Sequence, residues 1–381
     1  MSMTSKERIL RTMGGQATDY TPLWQPLYTE LLGHCDSYEQ FVERQVALGL
    51  DVVVAMPDLD LHVDPRVRLE FESEPSQPNP LMHQRYHTPA GTMETIVERT
   101  ADWPFGDRVP LISDFVIPRG RKFLVTEAKD LEALPFILPE PTAESIAKFR
   151  EEAEGRRRLA ARLGLATCGG FHRLSDMFCW LAGCDAFATL GLTDPEFFES
   201  FLKVIARWQD RQLDIILSTK PDVLLDPQWY GTTFLSPQLY DKFLVPQLRH
   251  RVDAAHAGGA KVCTIATTTV MPFFGSLKRL GIDMLYGVDP IMGTWDLARA
   301  KKELGDTVSL GGGVNGYLTI VDGTPADVER AVEQAMAILA PGGRFVLGAV
   351  DNVRIDDHTS ESCARTQANM NRMVEVWKRL R

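Results

Sequence analysis

The stretch VLLDPQWYGTTFLSPQLYDKF, residues 223–243, contains the pattern that decides the fold. An apolar run of strand length ends in the acid Asp226 and turns at Asp-Pro. It then leads into a helix that starts at Ser236, with Pro237 as its first helical residue. Ser before Pro is a typical helix start, because Ser caps the free N–H groups and Pro suits the first helical position. This stretch therefore reads as a buried strand, a turn and a helix.

The same succession recurs along the chain. Eight apolar, β-branched runs have strand length, at 20–27, 51–57, 165–171, 222–227, 261–266, 284–288, 307–313 and 344–350. Helical patterns lie between or after them, at 37–48, 142–163, 174–190, 194–218, 236–257, 271–280, 295–304, 324–339 and 360–380. Buried strands that alternate with helices predict an α/β protein, a (β/α)8 TIM barrel. The alternative, an open doubly wound sheet, would want a GxGxxG turn after its first strand, and the sequence has none there.

One segment interrupts this alternation. Residues 59–140 contain the strand-like runs RVRLEFESE and MHQRYHTPAGTMETIVER, with a turn at 89–91, followed by Pro-rich connections. We expect a β-rich insertion after the second strand that covers one mouth of the barrel. A chain of 381 residues suits one large barrel, so a single domain over residues 1–381 is predicted.

Composition excludes several classes of protein. A formal net charge of −10 argues against a nucleic-acid partner, because backbone binding needs clustered Lys and Arg. The N-terminal stretch MSMTSKERILRTMGG lacks the apolar core of a signal peptide, and no apolar run is long enough to span a bilayer. A cytoplasmic protein without a membrane segment is expected. The six cysteines are too few for a disulfide framework in this length, and reduced thiols are expected.

In a barrel, the chemistry lies where the strands end, because those side chains share one mouth. The rule selects residues that follow the predicted strands: Trp24 and Gln25; Asp58, Asp60 and His62; Gly169, Gly170 and His172; Asp226, Gln228 and Trp229; Cys263, Thr264 and Thr267; Asp289; Asn315; Asp351 and Asn352. Each has a plainer interpretation. Asp226 can simply cap its Asp-Pro turn, His172 can be a solvated loop residue, and Cys263 can be a small buried hydrophobe. Glycines 311–313 can cradle a phosphate or serve close strand packing.

Four stretches together resemble a known family. They are CGGFHRLSDMFCWLAG, LLDPQWYGTTFLSPQLYDKFLVPQLRHRVDAAHAGGAKV, LGGGVNGYLTIVDGTPADVERAVEQAM and APGGRFVLGAVDNV. Their order and spacing resemble the uroporphyrinogen decarboxylase superfamily, over nearly the whole chain. The resemblance implies a (β/α)8 barrel. It also implies one of two activities, decarboxylation of uroporphyrinogen or methyl transfer between a corrinoid protein and thiols, methanol, methylamines or methoxylated aromatics.

Departures from the family pattern help to separate these branches. True decarboxylases place arginines just after the first strand, where this chain has PLWQPLYTELLG without Arg or Lys. The family's Asp matches Asp58, whereas its active-site Tyr falls at Met177 and its C-terminal His at Asp351. An aromatic mouth with Trp24, Trp229 and Tyr230 does not suit an octacarboxylate. The methyltransferase branch is therefore favoured.

That branch holds zinc through His-x-Cys after the fifth strand and Cys after the eighth. The matching positions are Cys263, Ile265 and Asp351. Cys263 and Asp351 could still bind zinc, with Asp226 or His172 completing the set, and zinc would then act as a Lewis acid. The loss of the full triad weakens a thiol-methylating assignment in particular.

The resulting hypothesis is a methyltransferase that takes a methyl group from a small O-methyl donor of the methoxyaromatic type. The acceptor would be a corrinoid (cobalamin) carried by a partner protein. Asp226, Cys263 and Asp351 would form one polar centre, with Asp58 or His172 as the acid or orienting group. Flat walls for a ring would come from Trp24, Phe171 and Trp229, and Gln25 and Asn315 would add polar contacts.

Two further hypotheses stay open. One is a decarboxylase or lyase that acts on a smaller acid through Asp58, and the other is a non-catalytic barrel that binds a corrinoid or tetrapyrrole. A homodimer is compatible with the resemblance, although no stretch identifies an interface.

Overall fold

The computed structural model describes residues 3–170, 173–266, 268–355 and 359–381. Phe171, His172 and Thr267, three of the predicted site residues, lie outside these ranges. The described residues form strands β1 Val53–Ala55, β2 Arg68–Glu74, β3 Leu81–Thr88, β4 Gly91–Glu98, β5 Gly120–Lys122, β6 Ala166–Gly170, β7 Val223–Pro227, β8 Lys261–Ile265, β9 Met284–Val288, β10 Ser309–Asn315 and β11 Phe345–Val350.

Helices separate and flank the strands. They are α1 Ser5–Met13, α2 Thr29–Gly33, α3 Tyr38–Leu48, α4 Leu134–Ile137, α5 Ala143–Leu163, α6 Leu174–Ala182, α7 Cys184–Thr193, α8 Pro195–Ser218, α9 Gly231–Phe234, α10 Pro237–Leu239, α11 Val245–Ala257, α12 Phe274–Leu280, α13 Leu297–Leu304, α14 Pro325–Leu339 and α15 Ser360–Leu380. Short 3-10 turns lie at Ile117–Arg119, Ala128–Glu132 and Met271–Phe273, and π-helical turns at Tyr240–Leu244 and Gly316–Val321. None of the helices in the described ranges has the length and apolar character that a membrane crossing requires.

Seven of the strands form one parallel sheet in the order β1-β6-β7-β8-β9-β10-β11. The first predicted strand, 20–27, makes only an isolated parallel bridge between Leu23 and Leu347 of β11. Its backbone nevertheless forms hydrogen bonds with neighbouring segments on both sides. The Trp24 N–H donates to the Leu347 carbonyl at 3.0 Å, and the Asp51 N–H donates to the Leu23 carbonyl at 2.7 Å. The segment thus links β11 to the residues just before β1.

Side chains of the sheet alternate between two buried layers, because successive residues of a strand point to opposite faces. One layer gathers Trp24, Val223, Leu225, Cys263 and Tyr286 with Ile9 and Met13 of α1. The other layer, which includes Leu224, Val262 and Leu285, packs against the helices. Near-continuous apolar strands are typical of parallel sheets that are covered on both faces.

The glycine run in β10 serves close packing. A Cβ at Gly311 would lie 2.4 Å from the Tyr286 ring, and one at Gly313 would lie 2.7 Å from Ala335. A Cβ at Gly348 of β11 would lie 2.1 Å from the Tyr286 hydroxyl. These glycines therefore make room for Tyr286 and α14, and the packing interpretation of the run holds.

Between β1 and β6 the chain forms a separate antiparallel sheet in the order β2-β3-β4-β5. The predicted turn joins β3 to β4, with Thr88 paired to Gly91. The predicted helices 174–190 and 236–257 are each interrupted. Gly183 separates α6 from α7 with a backbone φ of +86°, and a π-helical turn precedes α11, where Pro246 lies at the first turn.

Candidate functional site

A cavity of about 360 Å³ lies beside the carboxyl ends of β1 and β6. Five parts of the chain form its wall: the segment after Leu23, α2 and α3, the end of β1 with the loop that follows, β6 with one residue each of β7 and β8, and α8. The lining residues are Trp24–Thr29, Leu32, Tyr38, Phe41, Gln45, Val53, Ala55–Leu59, Cys168–Gly170, Gln212, Ile216, Leu225 and Ile265. Of these described residues none is Lys or Arg, and Asp58 is the one carboxylate. The wall is therefore mostly apolar, with four aromatic side chains, Trp24, Tyr28, Tyr38 and Phe41, and a few polar ones.

Helix α3 contributes a face of three residues to this wall. Tyr38, Phe41 and Gln45 recur at the spacing that places side chains on one side of a helix. The Tyr38 hydroxyl accepts a hydrogen bond from the Ala55 N–H at 2.6 Å. Burial raises the pKa of Tyr38 to about 12, so the phenol keeps its proton near neutral pH. Its O–H thus remains a donor beside the cavity.

Helix α8 contributes Gln212, whose side chain is 9% exposed and lines the cavity. Within the described part of the chain its Nε2 has no hydrogen-bond partner. One turn earlier, Gln209 accepts a hydrogen bond from Arg251 at 2.5 Å. A buried amide donor without a partner costs free energy. Gln212 is therefore the side chain whose donor a bound molecule could satisfy.

A second cavity of about 260 Å³ shares Asp58 and Gln212 with the first, and we call it the annex. Its other lining residues are Ile112, Arg173, Met177, Trp180, Trp208 and Gln209. The Arg173 guanidinium carbon lies 4.8 Å from the Trp229 ring centroid and 5.4 Å from that of Trp180. Burial lowers the pKa of Arg173. In the described linings of the two cavities, Arg173 is thus the one Lys or Arg and Asp58 is the one carboxylate.

Behind the annex lies a buried acidic group. Asp176 of α6 is 1% exposed, and its Oδ2 accepts a hydrogen bond from the Ser175 hydroxyl at 2.8 Å. Burial raises the pKa of Asp176 to about 7. Asp114 accepts hydrogen bonds from Trp180 Nε1 at 2.8 Å and from the Tyr230 hydroxyl at 2.9 Å, so it holds two aromatic side chains of this region.

Five predicted residues lie in the main cavity: Trp24, Gln25, Asp58, Gly169 and Gly170. The Trp24 ring packs edge-on against Tyr286, with 5.7 Å between centroids. Gln25 is also a tether, because its amide accepts from the Ala349 N–H at 2.9 Å and donates to the Leu27 carbonyl at 2.9 Å. Asp58 is exposed at the boundary between the cavity and the annex.

Trp229 and Asp351 line a narrow cleft of about 10 Å³, which shares Pro26, Leu27 and Ile265 with the cavity. Asp351 has a positive φ of 69°, and its Oδ1 accepts from the Asn352 N–H at 2.8 Å. Both residues are therefore neighbours of the cavity.

Asp226 does not line the cavity; its neighbour Leu225 does. The Asp226 carboxylate is 2% exposed and lies 3.3 Å from Arg251 Nη1 of α11 and 3.1 Å from Gln228 Nε2. Burial raises its pKa. Successive residues of a strand point to opposite faces. The Leu225 side chain points into the layer that contains Trp24, so the Asp226 side chain points to the helices. The expectation that Asp226 joins the mouth is corrected accordingly.

Cys263 is fully buried in the layer that contains Trp24 and Tyr286, and burial raises its pKa well above the usual value. A cysteine binds zinc as the deprotonated thiolate. Across the described residues, no group of three His, Cys, Asp or Glu with ligand atoms within 4.8 Å includes Cys263, Asp226 or Asp351. The described residues thus do not bring Asp226, Cys263 and Asp351 together as one group of metal-binding atoms. His172, the other residue predicted to complete a zinc site, lies outside the described ranges.

The Asn315 side chain has a structural role, because its hydrogen bonds are made within the protein. Its Nδ2 donates to Asp289 at 2.7 Å, and its Oδ1 accepts from the Leu318 N–H at 2.6 Å, which caps the π-helical turn. It lines neither the cavity nor the annex. The predicted contacts of Phe171 and His172 fall outside the described residues.

Tyr38 and Gln212 were not among the predicted residues, because both lie on helices and not at strand ends. A signal for Gln212 was nevertheless present. Gln209 and Gln212 interrupt the apolar face of α8, where Ile205 and Ile216 are buried.

Comparisons with known proteins show the family to which this chain belongs. A family model for uroporphyrinogen decarboxylase (URO-D) matches residues 117–349. A methyltransferase from Methanosarcina mazei has a similar fold, with a TM-score of 0.60, 16% sequence identity and 99% of both chains covered. D-psicose 3-epimerase from Clostridium cellulolyticum H10 gives a TM-score of 0.38 at 12% identity, over 65% of this chain and 85% of the epimerase.

No curated protein matches the chain in sequence. The family model covers more than half of the 381 residues. The resemblance recognised in the sequence is thereby confirmed, and the chain belongs to the uroporphyrinogen decarboxylase family.

Proposed function

We propose that this protein is a methyltransferase that takes a methyl group from a small methoxyaromatic donor and passes it to a corrinoid carried by a partner protein. The observation that carries the proposal is the aromatic cavity, whose described lining contains no Lys or Arg. Ligand sites are mostly apolar pockets with a few placed polar groups. A flat, weakly charged donor suits this wall, and the similarity in fold to a methyltransferase agrees with it.

The fold supports the position of the site. We infer that residues 22–24 act as the eighth strand of a closed barrel, because their backbone bonds join β11 to the residues before β1. The cavity then lies at the carboxyl end of the strands, where barrel enzymes carry their chemistry. Residues 59–140 would be an insertion in a single domain that covers this mouth, which agrees with Ile112 in the annex wall.

Methyl transfer to a corrinoid is an in-line displacement in which reduced cobalt supplies the nucleophile. The protein must hold the methyl carbon towards the acceptor and stabilise the oxygen that departs. Trp24, Tyr28 and Phe41 provide flat apolar surface for the ring of the donor. Tyr38 O–H and Gln212 Nε2 are the donors placed to bind the leaving oxygen.

Asp58 would act as the acid or orienting group at the boundary of the cavity. It is exposed, so it can exchange a proton with solvent as the phenol product forms. Trp229 would extend the wall for the ring, and His172 and Phe171 stay predictions from the sequence. Asp226 has no role in this scheme, since its partner is Arg251.

A second candidate is a decarboxylase for a small acid, and one specific observation favours it. Arg173 lies in the annex, which shares Asp58 with the cavity. A guanidinium can bind a substrate carboxylate while an acid moves the proton. Uroporphyrinogen itself is disfavoured, because eight carboxylates would need many more cations than this wall provides.

The proposal is tested with purified protein, cobalamin reduced to Co(I) and a panel of methoxylated aromatics. Conversion of the cobalt absorption spectrum to that of methylcobalamin is expected. Tyr38→Phe should lower the rate about 100-fold, the scale for one lost donor to a developing oxyanion. Tyr317→Phe is the matched control, since Tyr317 is 45% exposed and outside both cavities. No conversion with any donor, together with CO₂ release from an aromatic acid, would establish the decarboxylase instead.

A further inference from the structure

A mixed cluster of metal-binding side chains lies apart from the cavity. Among the residues that the structure describes, Glu30, His34 and Cys363 form a group whose ligand atoms all lie within 4.8 Å of one another. Glu30 Oε1 and His34 Nε2 are 2.9 Å apart. The His34 side chain is 63% exposed and that of Glu30 is 13% exposed, so the cluster is open to solvent on one side. Cys363 is half-buried and not in a disulfide.

We propose that Glu30, His34 and Cys363 bind a zinc ion that fastens α2 to α15. The inference does not depend on the proposed methyl transfer. It uses residues other than Cys263 and Asp351, from other elements of the fold.

The donor set suits Zn²⁺, which binds carboxylate oxygen, imidazole nitrogen and thiolate sulfur in tetrahedral sites. Bonds of about 2.0 to 2.3 Å at tetrahedral angles place the ligand atoms roughly 3.3 to 3.6 Å apart. The three ligand atoms lie within 4.8 Å of one another, so side-chain rotations would be enough to bring them to this spacing. A carboxylate and a thiolate would balance the two positive charges of the ion, and the exposed side would leave a fourth position for water.

The local structure explains what the ion would do. Helix α2 has five residues and no side-chain cap at Tyr28. So short a helix is not stable by itself. Two hydrogen bonds hold it to the segment after β11: Thr29 N–H donates to Asn352 at 3.2 Å, and Glu30 N–H donates to the Val353 carbonyl at 3.0 Å. An ion between Glu30, His34 and Cys363 would add a third link.

This link would also reach the cavity. Thr29 and Leu32 of α2 line it, whereas Glu30 and His34 belong to the metal cluster. A bound ion would therefore hold α2, and with it Thr29 and Leu32, in position beside the cavity. The ion itself would not contact the substrate. Without the ion, the Glu30–His34 pair is an exposed i,i+4 interaction of little energetic value.

The test is a titration of the metal-free, full-length protein with Co²⁺, which reports both geometry and sulfur ligation. A tetrahedral site with a thiolate gives intense visible bands and a sulfur-to-cobalt charge-transfer band, and Zn²⁺ should displace both. Cys363→Ser should abolish the charge-transfer band. Cys184→Ser is the matched control, because Cys184 has similar exposure and lies outside the cluster.

His34→Gln provides a second measurement, because His34 is exposed and its replacement leaves the core intact. Zn²⁺ affinity should fall at least tenfold, and the rise in Tm on adding Zn²⁺ should disappear. The inference is overturned if the charge-transfer band is absent, if it survives Cys363→Ser in a folded protein, or if His34→Gln binds Zn²⁺ as tightly as the original chain.

Discussion

At the scale of single residues, the most informative group is the Gln212 amide. It is buried between two cavities, and within the described chain its Nε2 has no protein partner. Such a group lowers stability, so its presence is easier to explain by a ligand than by folding. Gln209, one turn away, shows the usual alternative, since its amide oxygen is paired with Arg251.

We expect Gln212→Leu to raise the free energy of unfolding by about 1 kcal/mol, because an unpaired amide is removed from the interior. The same change should lower the rate of methyl transfer about 100-fold, because a donor to the leaving oxygen is lost. Urea unfolding and the cobalamin assay measure the two effects. Gln209→Leu should instead destabilise the protein, and a rate unaffected by Gln212→Leu would remove this residue from the site.

Asp176 gives a prediction for pH. Burial raises its pKa to about 7 from the usual value of 3.8. A raised pKa means that the folded protein holds this proton more tightly than the unfolded chain. The stabilisation is complete below the unfolded pKa and is lost as pH rises through about 7.

The loss amounts to about 4 kcal/mol between pH 4 and pH 8, at 1.36 kcal/mol per pKa unit. Asp176→Asn should remove it, because the amide does not titrate. Urea unfolding of both proteins across this pH range provides the measurement. Parallel pH profiles for the two proteins would show that Asp176 ionises as freely as an exposed acid.

The strand-end rule predicted some of the cavity and missed the rest for clear reasons. Trp24, Gln25 and Asp58 follow strands or strand-like segments, and they line the cavity. Tyr38 and Gln212 come from helices, whose orientation towards a mouth cannot be read from strand ends. Cys263 was placed on the correct strand, but its depth in the layer depends on packing with Tyr286.

At the scale of elements, strand β7 shows that a shift of one position along a strand decides which face a side chain points to. Val223 and Leu225 belong to the inner layer, so Leu224 and Asp226 face the helices. The residues before Asp226, VLL, do not alternate between apolar and polar, so the sequence does not show which of them point inward. The pairing of Asp226 with Arg251 instead ties β7 to α11, and Gln209 extends the contact to α8.

Arg251→Met should destabilise the protein by about 3 to 5 kcal/mol, because it leaves Asp226 buried without its counter-charge. The double variant Asp226→Leu/Arg251→Met should recover much of this loss, since both charges are then absent. Denaturant unfolding of the single and double variants tests the assignment. If the double variant were stable but unable to bind any donor, Asp226 would belong to the site after all.

Seven of the eight predicted parallel strands and most helices were predicted within about two residues, because buried parallel strands are apolar throughout and the helices have capping residues. The first predicted strand, 20–27, forms only an isolated bridge. Helix α1 was not predicted, although Thr4 and Glu7 form a capping box at its start. The break at Gly183 depends on a long-range contact, since a Cβ there would lie 2.6 Å from Phe123. A contact between residues so far apart in the chain cannot be predicted from the local sequence pattern.

At the scale of the whole molecule, the fold explains how distant segments build one site. The parallel sheet brings β1, β6, β7 and β8 together, and α3 and α8 close the cavity from the side. The parallel sheet and its flanking helices confirm the α/β fold expected from the sequence. The reaction, however, depends on a few side chains in the wall, so it needs a chemical test.

The most direct test of methyl transfer follows a label. The protein is incubated with Co(I) cobalamin and methoxybenzoate that carries ¹³C in the methoxy group, and the product is read by NMR. The account predicts that the label moves to a cobalt-bound methyl group and that free hydroxybenzoate is formed. It is contradicted if the methoxy label stays in the ether while the carboxylate leaves as CO₂.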